Sequence, residues 1–545
     1  MEAWVGAHWL SLVVFLPLGV GVLLLATGRL LPAWIWQGGG VLGSLATFIL
    51  ALPLWSRYDA VEGGYQFIER TPWIAWAGVH YFVGVDGISL VLLLMTLFLV
   101  PVVLLASWNL KGAPPRAFVF LVLMLETCAV GAFASLNLFV FVAFCELALL
   151  PAGLLVGLRG GASRIMAATR FMLMTATGSA VLWVALLVLG RLSAEQSGGV
   201  VSFDWVSLPG APGLSLLDVL VPRADPEHWW RSQSALFTAF FFAYAIRIPC
   251  VPLHAWLPPA QSAASPAAAA LLLGVVVKLG VYGLLRFAIP LFPHALEEAS
   301  GLLFTLLALG MLHAAVVAAA QVHLGRLVAY LSVVQLGLIT LGVVTFNPQG
   351  LSGAVLQLVS HSVSVAALLL LLGFFEERRQ TLQVEALGGV ARPMPLYGFG
   401  LGLVMLSLIG LPPLSGFAGE FLILLGAFPL SPWSVVAAAT ALAGGAAVAL
   451  RVFGRVLLGP VEHPENRGLI DLGWRERWVL LWLLIPVVGL GVAPDPLLRR
   501  VEPAAIQVLR QVEARAAATE AVEGLVSVSE PIPTQAVAAP REVAE

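Results

Sequence analysis

The residues of this chain best suited to chemistry are ionisable side chains set among apolar runs: Glu126, Glu146, Arg247, Lys278 and Glu420, with His254 and His361 inside or at the ends of such runs. Charges in an apolar medium are costly, and where they occur they face a bundle interior or an aqueous path. Carboxylate, amine and imidazole groups exchange protons, so the set points to proton transfer between buried sites. Lys278, in LLLGVVVKLGVYGLL, is the sharpest signal. Of the 28 Lys and Arg residues only Lys111 and Lys278 are lysine. An amine can release its proton when desolvated, whereas a guanidinium cannot. The bland alternative is a lysine whose head reaches the interface; a long apolar run before Lys278 and a shorter one after it speak against that.

Glu146, in FVFVAFCELALLPAG, has no cation within a helical turn, so its partner must come from another helix. A lone buried carboxylate takes up a proton, and a cationic neighbour restores its charge. The competing reading is a fixed structural ion pair. Glu420 follows LPPLSGFAGE, where two prolines and two glycines interrupt the run. The stretch RIPCVPLHAWLPPA (247–260) is broken in the same way, by Pro249, Pro252, Pro258 and Pro259. Proline removes a backbone donor, and broken backbone inside a membrane is tolerated only where protein covers it or it lines a cavity. His254 and His361 can accept a proton on one ring nitrogen and release one from the other. A lone histidine in a bundle is often only a core hydrogen-bonding residue; His313 and His323, nearer run ends, are read that way.

Stepping outward to the elements, 60% of the chain is hydrophobic and 11% charged. Apolar runs long enough to cross a bilayer recur from end to end. Length and punctuation predict an all-α polytopic membrane protein with about 14 transmembrane helices. The broken seventh and twelfth helices lie five spans apart. An odd offset reverses the direction of travel, the pattern of two inverted five-helix repeats with sites at discontinuous helices. The divisions expected are helices 1–3 in 1–110, a first repeat in 111–290, a second in 291–460, helix 14 and a surface helix (Pro496 to Ala516) in 461–516, and a disordered tail in 517–545. Loops on one side carry Arg29, Lys111, Arg159, Arg326, Arg378 and Arg392, while Asp59, Glu62, Glu69, Asp218, Asp225 and Glu227 lie on the other. The positive-inside rule makes the Arg-rich side cytoplasmic and puts both termini outside. A net charge of −2 argues against a nucleic-acid partner. Cys128, Cys145 and Cys250 lack metal-ligand spacing and read as small core residues. No basic residue precedes the first apolar run, which therefore does not read as a cleaved signal.

The stretches GVDGISL (84–90), FCELALLPAGLLVG (144–157), RIPCVPLHAWLPPAQSAASPAAAALLLGVVVKLGVYGLLRF (247–287), GRLVAYLSVVQLG (325–337), SHSVSVAALLL (360–370) and LIGLPPLSGFAGEFL (408–422) resemble the antiporter-like membrane subunits of respiratory complex I. The resemblance is closest to the subunit M group of the NADH-quinone oxidoreductases. It implies that Glu146 is the family's fifth-helix glutamate, Arg247 stands where the family has the partner lysine of helix 7, and Lys278 is the central lysine of helix 8. His254 and His361 match family histidines. Glu420 matches the twelfth-helix glutamate of the M group, where the sibling subunits L and N usually carry lysine. The implied function is proton translocation in the membrane arm of a bacterial inner-membrane NADH-quinone oxidoreductase, coupled to quinone reduction elsewhere. NADH, FMN, iron–sulfur clusters and quinone would belong to partner subunits, and this chain would hold no cofactor or metal. Its partners would be other membrane-arm subunits, protons and the lipid bilayer. An Mrp-type cation/proton antiporter and the membrane partner of a hydrogenase or inorganic-carbon uptake complex are the alternatives. Three departures stand out: Arg247 in place of lysine, Gln335 in place of the usual tenth-helix histidine, and Leu331-Ser332 in place of Ser-Ser.

Overall fold

The computed structural model describes residues 8–27, 32–108, 115–158, 163–207, 215–223, 228–461 and 463–528. Lipid offers the backbone no hydrogen-bond partner, so each apolar run satisfies its own N–H and C=O groups as a helix. The first helices are α1 (Trp9–Thr27), α2 (Ala33–Arg57), α3 (Gly87–Ala106), α4 (Pro115–Ala134), α5 (Leu138–Leu158) and α6 (Arg164–Gln196). Next come α7 (Gln233–Arg247), α8 (Leu257–Ala263), α9 (Pro266–Leu291), α10 (Pro293–Ala319), α11 (Leu324–Val344) and α12 (Pro348–Arg379). The last are α13 (Pro395–Leu408), α14 (Ser415–Ala427), α15 (Pro432–Leu458), α16 (Trp474–Val492) and α17 (Asp495–Val528). Among the described residues, eleven helices are individually long and apolar enough to span a membrane. The short pairs α7/α8 and α13/α14 make two broken crossings, and α16, bent 68° from α17, makes another. By length and composition alone the spans among the described residues number up to twelve with the bent pair counted as one, beside the expected count of about 14. Helices α9 and α12 are buried along their whole apolar length and form the centre of the bundle.

The two breaks follow from their prolines. The last carbonyls of a helix need partners outside it. After Arg247, Pro249 and Pro252 interrupt the helix, and the indole Nε1 of Trp256 donates to the carbonyl of Ile246 at 2.8 Å. In the second break Gly410 adopts φ +70, a conformation that favours glycine. Gln335 Nε2 donates to the carbonyl of Leu408 at 3.1 Å. Each break contains one cis X-Pro bond, Val251–Pro252 and Pro412–Pro413.

To the helices the structure adds an antiparallel hairpin, β1 (Gln66–Ile74) and β2 (Val79–Val85), with Arg70 opposite Phe82 and Thr71 opposite Tyr81. The hairpin lies between the second and third apolar runs, outside any of them. Alternation in VHYFVGV is the signal for a strand, and it is short enough to be lost between two apolar runs. The connection after α6 packs onto the hairpin rather than standing free. Asp204 accepts from Arg70 Nε at 3.0 Å and from Asn137 Nδ2 at 2.8 Å. The C-terminal helix is also longer than expected. It continues past Ala516 to Val528, through a run of alanine and glutamate that favours helix. Residues 529–545 of the expected tail lie outside the described residues, as do Arg29, Lys111, Arg159, Asp225 and Glu227 among the charges used for orientation.

Arg515 fastens α17 to the connection after α6. It is 4% exposed and donates to the carbonyls of Leu216 (2.9 Å), Leu217 (2.7 Å) and Val219 (2.5 Å). Hydrogen bonds from a charged donor are worth about 1.5–3 kcal/mol each. Arg515→Ala leaves three carbonyls without this partner, so α17 is expected to loosen by about 1.5–3 kcal/mol for each bond that water does not replace. Limited proteolysis of membranes checks this: the variant should be cut in α17 faster than the parent, and equal cutting rates would show that the clasp is dispensable.

Candidate functional site

Glu146 lies on α5, and the cation that sequence reasoning required comes from α7. Arg247, the last residue of that helix, forms an ion pair with Glu146 and donates to Ser179 Oγ of α6 at 2.9 Å. Arg247 is 5% exposed while the Glu146 side chain is 24% exposed. The carbonyl of Ile246 at the break is taken by the Trp256 indole and not by Arg247. The pair touches α9 as well. A Cβ added to Gly280 would lie 2.9 Å from Arg247 Cβ, so the absence of a side chain there lets the arginine pack two residues from Lys278.

Lys278 is fully buried on α9 and His361 is 2% exposed on α12. Their Nζ and Nδ1 atoms are hydrogen-bonded at 2.7 Å. Lys278 has no carboxylate ion pair among the described residues; a histidine is the partner the structure provides. The His361 Nε2 atom is buried without a partner among the described residues.

Glu420 lies on α14, one turn past the break, and is 8% exposed. Gln335 Nε2 of α11 donates to its Oε1 at 2.8 Å, and Gln357 Nε2 of α12 reaches it at 3.5 Å. Gln357 Nε2 also donates to Gln335 Oε1 at 3.0 Å. The departure from histidine at position 335 therefore places an amide, which donates but does not exchange protons, directly on Glu420. Gln357 and His361 are four residues apart on α12 and share a face. One face of α12 thus joins the Glu420 cluster to the Lys278–His361 pair.

Two further candidates stand apart. His254, in the first break, lies with its ring 5.8 Å from that of His313 and 6.0 Å from that of Tyr330. The structure shows no hydrogen bond from it to Lys278 among the described residues. Glu126 of α4 is fully buried, and neither carboxylate oxygen has a hydrogen-bond partner among the described residues.

Sequence reasoning missed one buried pair. Asp86, at the N-cap of α3, forms an ion pair with Arg286 near the end of α9, and the two side chains are 2% and 1% exposed. Both lie in stretches already singled out by resemblance, but at the ends of apolar runs, where a charge is ordinary. The available signal was GVDGIS itself, an Asp three residues before a Ser at the start of an apolar run, which reads as a helix cap.

Two inverted repeats of membrane helices, broken at equivalent crossings and lined inside with ionisable groups, define an antiporter-like membrane subunit. The chain belongs to the NADH:quinone oxidoreductase/Mrp antiporter transmembrane family, whose model matches residues 135–444. Residues 65–130 match the amino terminus of NADH-ubiquinone oxidoreductase chain 4. NADH-quinone oxidoreductase subunit M of Rhodobacter capsulatus is 33% identical over 500 residues, covering 89% of this chain and 93% of that one. A chain of respiratory complex I from Thermus thermophilus with bound NADH superposes with a TM-score of 0.81 at 33% identity, covering 92% of this chain and 99% of that one. A chain of the Mrp complex from Dietzia sp. DQ12-45-1b shares the fold, with a TM-score of 0.78 at 20% identity over 94% of this chain and 99% of that one.

The second break yields a steric test. A Cβ on Gly410 would fall 2.2 Å from Glu420 Oε2, and φ is +70 there. Gly410→Ala should therefore both strain the break and push the carboxylate from Gln335, at a cost of about 1–3 kcal/mol. The expected outcome is a lower unfolding temperature of the purified protein; an unchanged midpoint would show that the break yields freely.

Proposed function

We propose that this chain is a proton-translocating membrane-arm subunit of an NADH-quinone oxidoreductase. The observation that carries the reading is the line of polar and ionisable groups across both halves of the bundle: Glu146 with Arg247, Lys278 with His361, then Gln357, Gln335 and Glu420. In this reading Lys278 is the central carrier. Arg247 holds its charge throughout and acts on Glu146 by its field. Opposite charges at about 4 Å interact by about 4 kcal/mol at an effective dielectric of 20. Separating them frees Glu146 to take up a proton and leaves the arginine cation packed against α9, close to Lys278. His361 accepts the proton that Lys278 releases. Glu420 is the terminal site, with Gln335 and Gln357 holding its carboxylate in place. His254 and Glu126 serve as accessory groups, His254 at the first break and Glu126 on α4.

The chain itself binds no nicotinamide, flavin, iron–sulfur cluster, metal or quinone in this reading. Its three cysteines are buried singly, on α4, on α5 and in the first break. Redox chemistry belongs to partner subunits, and the partners are other membrane-arm subunits and the surrounding lipid. The Arg-rich loops face the cytoplasm of a bacterial cell, and both termini face outward. The division into 1–110, 111–290, 291–460, 461–516 and a tail follows the order of the helices. The likeness to the Mrp chain, at 20% identity, supports a shared fold. Replacing sodium by choline in a vesicle assay separates cation antiport from proton pumping.

The proposal is tested on the assembled complex in vesicles. Lys278→Ala and Lys278→Arg should each lower proton pumping per turnover by about 100-fold or more, since a positioned proton carrier commonly contributes that much. Glu420→Gln should impair pumping without preventing assembly. Arg247→Lys should retain it, because either cation holds Glu146. Normal pumping by Lys278→Arg would show that titration at this position is not required.

A further inference from the structure

Of the ion pairs among the described residues, Asp86–Arg286 is the one with both side chains almost wholly removed from solvent, and the relay above does not use it. Its surroundings fix both partners. Asp86 accepts from the backbone of Ser89 at 2.9 Å, and Ser89 Oγ accepts from the backbone of Asp86 at 2.9 Å. Arg286 Nη1 donates to Tyr65 Oη at 3.0 Å and Nε to Tyr282 Oη at 3.2 Å. Tyr282 in turn donates to the carbonyl of Phe133 at 3.1 Å. Lys278, Tyr282 and Arg286 are spaced by four on α9 and lie along one side of it. The helix departs from regular α geometry on both sides of Lys278, in wider turns at Leu272–Val276 and Leu284–Ala288. Such turns recur at functional sites.

We propose that Asp86 and Arg286 are positioning residues for Lys278, a second charge pair that sets its proton affinity from the hairpin end of α9. The inference rests on the reading of Lys278 as a proton carrier. Eight residues of helix separate Lys278 from Arg286, about 12 Å. At an effective dielectric of 20 an uncompensated charge at that distance moves a titration by about one pH unit. Asp86 cancels the Arg286 charge, so Lys278 can hold a proton although a guanidinium lies two turns away on the same helix. The assembly also ties Lys278 to the outer collar of the chain. Asp86 directly follows β2, and Gly87 lies so close to α17 that a Cβ there would fall 1.8 Å from the carbonyl of Arg500.

The test is the pH profile of proton pumping by the assembled complex in vesicles. Asp86→Asn leaves Arg286 uncompensated and should move the alkaline limb toward acid by about one pH unit. Arg286→Gln leaves Asp86 uncompensated and should move it the opposite way. The double variant should return close to the parent. The other titratable or charged groups on the helices packed against α9 include His361 on α12, Arg247 and Tyr244 on α7, Glu146 and Cys145 on α5, Cys128 and Glu126 on α4, Tyr330 on α11 and those of α17, and they are the same in all four proteins. Asparagine remains a good helix cap, and Asp86 keeps its backbone partner without Arg286, so both single variants retain local hydrogen bonds. Either one alone reports a sign. Single variants that pump with the parent's profile would overturn the proposal. So would loss of the complex in both singles with full recovery in the double, since that marks a pair needed for assembly alone. Lys278→Ala, run beside them, separates the two readings: if it pumps normally the relay itself fails, whereas if it is dead and the pair variants keep the parent's profile, only the present inference fails.

Discussion

The structure depends on a lysine buried away from bulk solvent, with no carboxylate ion pair among the described residues. Lys278 is fully buried on α9, and its partner is His361 of α12. Isolated charges in an apolar interior are costly, and the effective penalty remains several kcal/mol even after relaxation. The surrounding helices therefore have to bring other charges near without a direct contact. Small residues make this possible. Gly280 admits Arg247 against α9, Gly283 admits Tyr244, and a Cβ on Gly274 would lie 3.5 Å from the carbonyl of Ser362 on α12. Packing at this density leaves α9 and α12 enclosed along their apolar length, and it fixes the distances over which the neighbouring charges act.

The two broken crossings solve one backbone problem with different side chains. In the first, an indole satisfies the exposed carbonyl of Ile246, so the arginine at the end of α7 is free to pair with Glu146. In the second, an amide from α11 serves both the carbonyl of Leu408 and the carboxylate of Glu420. Ser364, Ser407 and Ser415 complete that corner through hydroxyl contacts of 2.9 and 3.0 Å. The first break thus presents a permanent cation with its counterion, and the second a carboxylate held by neutral donors. Pseudo-symmetry of backbone accompanies asymmetry of charge, which gives the line of groups a direction.

How much of this the sequence discloses depends on the background each residue stands against. Glu146, Lys278 and Glu420 are legible because a charge inside an apolar run is rare. The breaks are legible because proline has a fixed backbone cost, and their odd spacing reveals the inversion. Asp86 and Arg286 escape the same reasoning because each sits at the end of a run, where charge is common and only the fold shows that both ends are covered. The cover is what sequence periodicity reads poorly: a short hairpin, a connection after α6 whose Asp204 is buried, and α17 lying over Gly87. His254 shows how little a break discloses about neighbours. It lies in the first break, and its ring packs beside those of His313 and Tyr330. A break changes direction, and nearness along the chain then says little about nearness in space.

The choice between arginine and lysine follows the division between fixed and exchangeable charge. Arg515 donates to three carbonyls, Arg378 engages both carboxylate oxygens of Glu476 at 2.9 and 2.5 Å, and Arg286 shares its fork among Asp86, Tyr65 and Tyr282. Such multidentate contacts use the planar fork and a charge that does not titrate. Each would be weakened by an amine, which is a point donor on a flexible stem. Lys278 is the reverse case: a single strong contact, to a group that can itself accept a proton. Arg247 belongs with the fixed charges, bonded to both Glu146 and Ser179. In the proposed relay, arginine at this position keeps the electrostatic part intact and offers no place for a proton to rest. In the proposed relay the burden of exchange then falls on Glu146 and on the Lys278–His361 pair, which is why the charges flanking Lys278 along α9 matter more there than they would beside a second titratable lysine.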